Sequence, residues 1–319
     1  DFCLSRGLGD VYKRQINSMC ETSTSSFIRS YDLLKLCNEG PQKKLDQTIY
    51  AQPAIAVTSL ASLEKLEEER PNAINNCVAT AGFSLGEISA LIFAGAIPFD
   101  QGIKLIQVRA EAMQAASDEN PSGMATVFYG PDSELGKACL QAKEWCLERG
   151  VDNPECKIAN YLYPHCKVVA GSLEALNFLE KNTKQFKLRK IKRLPVSGAF
   201  HTSLMESAVQ PFYEALKKID IEKPLIHVHS NIDGRPYHNA DHILKQLPKQ
   251  ITRPVKWEQL LHIIYERPQG DKFPKTYECA PGYSLTAILK MVNAKAWNHT
   301  FKVDSDSIQQ DDDKIESVN

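Results

Sequence analysis

One short segment constrains the fold of this chain more than any other: residues 82–86, with the sequence GFSLG. The residues before it, 76–82, are small and apolar, which is typical of a buried parallel strand. The residues after it, 85–96, form an apolar stretch of helical length. A sharp turn from strand to helix strains the backbone at its central residue and needs small neighbours two positions away. The segment therefore predicts a nucleophile elbow with Ser84 at its tip.

The residue types at this turn suit nucleophilic catalysis. The turn would push the Ser84 hydroxyl out of the sheet, and the following helix would place the Leu85 backbone N–H at its positive end. Such an N–H can donate to an oxyanion, which contributes about a hundred- to a thousandfold in rate. Because so short a pattern also occurs by chance, the flanking strand and helix carry the prediction. An esterase or lipase is the default enzyme class for such an elbow.

The rest of the chain alternates between helical and strand patterns. Helical apolar spacing recurs in three further segments, 31–38, 52–69 and 101–116. From residue 122 the order becomes β-α-β-β-α-β, the split pattern of a ferredoxin-like module. Its predicted strands are 124–129, 156–161, 167–170 and 188–194, and its helices are 134–149 and 172–181. The predicted domains are a large α/β domain, 18–121 and 195–304, and an inserted module, 122–194.

Both ends of the chain are expected to lie outside the folded domains. Residues 1–17 have neither a helical nor a strand period, and DVYKRQ at 10–15 resembles the adaptor end of a sequencing-library transposon read in frame. We interpret this stretch as a non-native leader. Residues 305–319 are polar and acidic, which predicts a disordered tail.

Composition argues against several classes of protein. The net charge of −1 provides no general attraction to nucleic acid or to a membrane surface. The nine cysteines contain no CxxC pair and no cluster with histidine, so we expect no metal site and a reducing compartment. The sequence contains no apolar run long enough to span a bilayer.

Three segments, in order, resemble one enzyme family, the malonyl-CoA:acyl carrier protein transacylases. Residues 82–96 resemble the family's nucleophile segment, in which GHSLGE is usual and Phe83 in place of His is typical of animal mitochondrial members. Residues 108–113, VRAEAM, resemble the segment whose Arg holds the free carboxylate of the malonyl group. Residues 198–205, GAFHTSLM, resemble the segment that carries the catalytic His. The resemblance implies a parallel-sheet, hydrolase-like acyltransferase domain with the ferredoxin-like module as an insertion.

The resemblance also assigns roles in catalysis. Ser84 would carry the acyl group, and His201 would act as its base. In this family a backbone carbonyl orients the catalytic His, near a Gln that precedes a loop-Pro-Val-x-Trp segment. The matching segment here is 250–257, so we assign the orienting role to Gln250. An acidic residue as the third member is the alternative that the sequence leaves open.

Substrate recognition would depend on Arg109, whose planar guanidinium suits a carboxylate. An exposed helical Arg paired with Glu111 is the other interpretation of the same residue. Met113 lies one helical turn further on and would line the pocket, and Asn160 matches a family position near the pocket. We interpret Asn231 as a backbone cap within a loop.

The implied reaction transfers a malonyl group from malonyl-CoA to the phosphopantetheine thiol of acyl carrier protein, for fatty acid synthesis, without a metal or a redox cofactor. The resemblance implies the mitochondrial matrix. Acyl carrier proteins are acidic, so a basic surface would attract them and fix their orientation. The candidate docking residues are Lys187, Arg189, Lys190 and Lys192. A solvated strand face is the alternative interpretation of that basic run.

Three other functions stay open from sequence: a serine hydrolase or thioesterase, a non-catalytic relative, and a transferase for methylmalonyl or another acyl group. The family opens with a strand and a Gly-Gln-Gly loop that supplies a second oxyanion N–H. No such segment precedes Ser18. We therefore expect a gap in the parallel sheet beside residues 76–82, and we expect the chain as written to be inactive or badly impaired.

Overall fold

A computed structural model of the chain describes residues 32–303. The expected leader at 1–17 and the expected tail at 305–319 lie outside these residues. The helices are α1 (Leu33–Glu39), α2 (Gln42–Leu45), α3 (Thr48–Glu69), α4 (Pro71–Asn75), α5 (Leu85–Phe93), α6 (Phe99–Glu119), α7 (Leu135–Leu147), α8 (Leu173–Lys181), α9 (Val209–Leu216), α10 (Ala240–Gln246), α11 (Trp257–Tyr265), α12 (Ser284–Val292) and α13 (Ala294–Trp297), with 3-10 helices at Ser203–Ala208 and Leu247–Ile251. The strands are β1 (Ala79–Thr80), β2 (Ser122–Tyr129), β3 (Cys156–Tyr163), β4 (Cys166–Ser172), β5 (Leu188–Arg193), β6 (His227–Val228), β7 (Thr276–Cys279) and β8 (Thr300–Val303). Within 32–303, no helix is both long and apolar enough to cross a membrane.

The elbow strand β1 belongs to a short parallel pair. It pairs with β6, with Ala79 opposite His227, and β7 and β8 form a second parallel pair. Helices α3, α5 and α6 pack into the main core and bury Val57, Ile88 and Ile103 there. Parallel strands are normally covered by helices in this way, because their crossover connections place helices on the faces of the sheet. The predicted parallel α/β class is confirmed.

The elbow strand is shorter than the segment 76–82 predicts. Only the fourth and fifth residues of that segment, Ala79 and Thr80, pair with β6. The segment immediately before it folds as α4, and the Asn76 N–H donates to the Asn72 carbonyl at 3.1 Å. The helix predicted at 85–96 is present as α5, which ends at Phe93.

Three further predicted helices are present as α1, α3 and α6. Residue 31, which the sequence places in the first of them, lies outside the described residues. Helix α3 begins at Thr48 rather than at residue 52 and holds Pro53 in its second turn. Proline is most often found in the first turn of a helix, so the sequence suggests a later start.

Residues 122–193 form an antiparallel sheet in the order β3-β4-β2-β5. Helices α7 and α8 cover one face, where Val127 and Leu179 are fully buried. The other face contributes Met124 and Val168 to the main core. The predicted β-α-β-β-α-β order is confirmed, and its sheet packs directly on the part of the protein that contains the elbow.

A cavity of about 1330 Å³ lies beside the elbow strand. Its lining includes Ala79 and Thr80 of β1 and, across the cavity, Tyr277 and Glu278 of β7. Among residues 32–303, the two parallel pairs are not joined into one continuous sheet. The gap expected beside the strand stays a prediction.

Candidate active site

Ser84 lies between β1 and α5 in a strained backbone conformation. Its φ is 51° and its ψ is −105°, a region that costs a residue with a side chain about 1–3 kcal/mol. A Cβ at position 82 would lie 1.9 Å from the carbonyl carbon of Gly86, so only glycine fits there. A Cβ at position 86 would meet nothing within 4 Å. The elbow therefore requires Gly82, whereas the surroundings of Gly86 leave room for a side chain.

The turn leaves one backbone N–H in position for an oxyanion. The Gly86 N–H donates to the Phe83 carbonyl at 2.9 Å, and the Glu87 N–H donates to the Ser84 carbonyl at 3.1 Å. Neither bond uses the N–H of Leu85, the first residue of α5. That N–H lies at the positive end of the helix dipole. This position suits the oxyanion role, which stays a prediction.

Asn231 holds the strained turn in place. Its Oδ1 accepts from the Ser84 N–H at 2.7 Å, and its Nδ2 donates to the Gly82 carbonyl at 2.8 Å. The side chain is fully buried. The interpretation of Asn231 as a backbone cap is confirmed, and the backbone that it binds belongs to the elbow. Two buried hydrogen bonds help to offset the strain at the nucleophile.

Arg109 comes from α6 and points into the protein, with only 2% of its surface exposed. One terminal nitrogen donates to Gln52 Oε1 at 2.7 Å, and the other donates to Gln250 Oε1 at 2.8 Å and to Ser84 Oγ at 2.9 Å. The alternative of an exposed Arg paired with Glu111 is wrong. Burial lowers the pKa of Arg109 to about 10, so the guanidinium stays charged at neutral pH.

Gln52 is a part of this site that the sequence analysis missed. Its Nε2 donates to Met113 Sδ at 3.6 Å, while its Oε1 accepts from Arg109. Met113 is buried and is thereby joined to the arginine through Gln52. The signal that could have identified Gln52 was its position as a polar residue among the apolar residues of α3.

His201 is oriented by a backbone carbonyl. Its Nδ1 lies 2.6 Å from the Gln250 carbonyl oxygen, and its backbone N–H donates to the Ile251 carbonyl at 3.1 Å. Because a carbonyl only accepts, Nδ1 carries the proton and Nε2 keeps a free lone pair. Burial lowers the pKa of His201 to about 4, and the charge of Arg109 adds to this, while the Gln250 carbonyl acts in the opposite direction. The imidazole is therefore neutral at physiological pH.

The nucleophile and the base do not share a hydrogen bond among the described residues. The Ser84 hydroxyl instead accepts from Arg109, which is a charged and stronger donor than a neutral group. A hydroxyl has two lone pairs and one proton, so accepting from Arg109 leaves its proton available. Bonds between a nucleophile and its base are often loose until substrate binds.

Asn160 lies on β3 and is buried. Its Oδ1 has no hydrogen-bond partner in the described part of the chain. The strand is tied to the loop after Gln250, because the Val255 N–H donates to the Ala159 carbonyl and the Tyr161 N–H donates to the Val255 carbonyl, both at 2.9 Å. An unsatisfied buried acceptor is costly and fits a role in binding a polar group, which stays a prediction.

The candidate docking residues lie apart from this hydrogen-bonded site. Lys187 precedes β5, and the other three, Arg189, Lys190 and Lys192, belong to it. All four are exposed, and β5 is a strand at the edge of the small sheet. Their placement suits contact with another molecule, and docking stays a prediction.

Glu87 is the second buried polar residue that the sequence analysis missed. It is completely buried in the first turn of α5 and accepts from Tyr237 Oη at 2.6 Å, from the Asn231 N–H at 3.1 Å and from Gln250 Nε2. Burial raises the pKa of Glu87 to about 7, against the effect of these donors. A glutamate within the apolar run 85–96 was the signal that could have identified it.

Comparisons with known proteins agree with this geometry. Residues 14–267 match the acyl transferase domain family. The chain is 61% identical over 276 residues to a probable malonyl-CoA-acyl carrier protein transacylase, mitochondrial, of Drosophila melanogaster, covering 86% of this chain and 73% of that protein. It superposes on the malonyl CoA-acyl carrier protein transacylase of Coxiella burnetii with a TM-score of 0.79 and 27% identity, covering 93% and 88% of the two chains. It also superposes, with a TM-score of 0.76 and 28% identity over 90% and 86% of the chains, on a malonyl-transacylase solved in complex with its acyl carrier protein. The chain therefore belongs to the acyl transferase domain family.

Proposed function

We propose that this protein transfers a malonyl group from malonyl-CoA to the phosphopantetheine thiol of an acyl carrier protein through an acyl-enzyme at Ser84. One observation carries the proposal: a buried, charged Arg109 lies 2.9 Å from the nucleophilic oxygen. A neutral acyl group offers a cation in that position no charged partner. It suits an acyl group with its own carboxylate, because a planar guanidinium can bind one through two parallel bonds.

Acylation begins when His201 Nε2 takes the proton of Ser84 and the hydroxyl oxygen attacks the thioester carbonyl. The Leu85 N–H donates to the oxygen on which negative charge develops. Collapse of this intermediate breaks the carbon–sulfur bond, and His201 returns the proton to the CoA sulfur. The carrier thiol then repeats the sequence in reverse and leaves with the malonyl group. This scheme uses only the side chains and backbone of the protein, without a metal or a redox cofactor.

Selectivity would come from the cost of leaving Arg109 without a carboxylate. A site built to bind a charged group discriminates against an analogue that lacks it, since the buried guanidinium is then left without a counter-charge. Malonyl would therefore be preferred to acetyl. Met113 and Asn160 complete the pocket wall in this proposal.

The names of two relatives support the cellular setting of the proposal. One relative is mitochondrial, and another was solved with an acyl carrier protein bound. We place the protein in the mitochondrial matrix, in fatty acid synthesis. The acidic carrier would approach the basic edge strand β5, where opposite charge speeds encounter.

Mass spectrometry of the intact protein tests the proposal. Incubation with malonyl-CoA should add one malonyl group to the wild-type protein and none to the Ser84→Ala variant. Addition of carrier protein with its phosphopantetheine arm should move the group onto the carrier. Release of free malonate without any carrier would instead identify a hydrolase, and the absence of an adduct would refute the proposal.

A further inference from the structure

The buried carboxylate of Glu87 determines which way the side-chain amide of Gln250 faces. Gln250 Nε2 donates both to Glu87 Oε2 and to the Ser84 carbonyl, the latter at 2.8 Å. Its Oε1 is consequently turned toward Arg109, which donates to it at 2.8 Å. A half-turn of the amide would set its N–H groups against the guanidinium and its oxygen against two acceptors. Neither arrangement can be hydrogen-bonded.

The same carboxylate supports the other side of the elbow. The backbone N–H of Asn231 donates to Glu87 Oε1, and the Asn231 side chain holds the Ser84 N–H and the Gly82 carbonyl. Glu87 therefore joins two supports of the site, one on the arginine and one on the nucleophile. The contact with Gln250 is the one that bears on substrate choice.

We infer that Glu87 is a positioning residue that turns the oxygen of the Gln250 amide toward Arg109 and thereby sets the preference for acyl groups with a free carboxylate. This inference rests on the proposed function and extends it to a residue that does not touch the substrate. An arginine held by two oxygen acceptors, Gln52 and Gln250, presents its guanidinium in one orientation. If the amide of Gln250 turned round, the guanidinium would lose one acceptor and gain a neighbouring donor.

The Glu87→Gln variant tests this inference, because it keeps the shape of the side chain and replaces one acceptor oxygen by a donor. We expect the ratio of kcat/KM for malonyl-CoA to that for acetyl-CoA to fall about tenfold or more, mainly through the KM for malonyl-CoA. Acylation of Ser84 by a neutral ester, p-nitrophenyl acetate, should change less than about threefold, since it does not use the arginine. Equal losses with all three substrates would overturn the inference and indicate a merely structural residue.

A reversed pair provides the rescue. In the double variant Glu87→Gln with Gln250→Glu, the new amide can donate to the new carboxylate, whose second oxygen faces Arg109. The bond from residue 250 to the Ser84 carbonyl is lost in this variant. The backbone carbonyl that orients His201 is unchanged. We expect the double variant to recover only part of the malonyl preference, because the new carboxylate restores an acceptor for Arg109 but also competes with the malonyl carboxylate for the guanidinium. Failure of the double variant to exceed either single variant would count against the inference.

Tyr237→Phe is the matched control, because it removes a different donor to the same carboxylate. Tyr237→Phe should lower the melting temperature but change the ratio of kcat/KM for malonyl-CoA to that for acetyl-CoA by less than about twofold. A fall in this ratio as large as that caused by Glu87→Gln would overturn the inference. If Glu87→Gln does not fold, the double variant is compared with Gln250→Ala, and a preference no higher than that of Gln250→Ala overturns the inference. A wild-type protein without any malonyl adduct would refute the proposed function instead, so the two failures are distinguishable.

Discussion

The site geometry predicts most directly that removal of Arg109, the buried cation beside the nucleophile, weakens the use of malonyl-CoA. Two parallel bonds between a guanidinium and a carboxylate, at about 1.5–3 kcal/mol each, amount to about 3–6 kcal/mol. A tenfold change in rate corresponds to about 1.4 kcal/mol, so Arg109→Ala should lower kcat/KM for malonyl-CoA by roughly a hundred- to ten-thousandfold. Acetyl-CoA has no carboxylate to lose, and its kcat/KM should change by less than about tenfold.

The assay follows transfer from both thioesters to the carrier protein with the same enzyme preparation. Arg109→Lys is the matched control, since it keeps the charge but has a single terminal nitrogen. The two terminal nitrogens of Arg109 lie 2.7 Å from Gln52 Oε1 and 2.8 Å from Gln250 Oε1, and one ammonium group cannot reach both. The lysine variant should fall between the wild type and the alanine variant. Loss of Arg109 also leaves two buried amide oxygens without a donor, at about 1–3 kcal/mol each, so unfolding must be measured in parallel. A folded alanine variant that loses malonyl and acetyl transfer equally would refute this account of selectivity.

Three further predictions follow from the site and its surroundings. The acylation rate should fall only as the pH drops through the His201 pKa of about 4, rather than near 6.5, because the neutral base is lost there. Quenched acylation assays across the acid range measure this midpoint. Arg109→Ala should move the midpoint upward, because the charge of Arg109 helps to lower the pKa of His201. Since the unfolded chain protonates this histidine first, its contribution to stability is complete above the ordinary pKa and declines as the pH falls toward about 4. Gly82→Ala should lower the free energy of unfolding by about 3 kcal/mol or more, because its Cβ would lie 1.9 Å from the Gly86 backbone. Gly86→Ala, whose Cβ meets nothing within 4 Å, should raise the free energy of unfolding by up to about 1 kcal/mol. Chemical denaturation measures both changes. Lys190→Glu with Lys192→Glu should raise the KM for the carrier about tenfold and leave the KM for malonyl-CoA unchanged. The control, Lys218→Glu with Lys223→Glu, changes two lysines that are exposed elsewhere and should alter neither KM. Equal effects of the first pair on both substrates would exclude docking at β5.

The order of elements could be predicted because it depends on short-range patterns. The elbow, the helix after it and the β-α-β-β-α-β module all follow from residue types within a few positions of one another. The end of an element is harder to predict, as β1 shows: of the run 76–82 assigned to the elbow strand, only Ala79 and Thr80 pair with β6. Strand length depends on which backbone groups find a partner in another part of the chain.

The sequence by itself pointed to Ser84 through the local pattern of its elbow, and to His201 and Arg109 through the resemblance of their segments to the family. Only the tertiary structure showed that Arg109 is buried against the nucleophile and that Gln52, Glu87 and Asn231 hold the site together. The physical reason is sequence distance: Gln250 binds the carbonyl of the elbow serine from 166 residues away. A buried polar side chain must be hydrogen-bonded, but its partner is chosen by the packing of elements that no local pattern brings together.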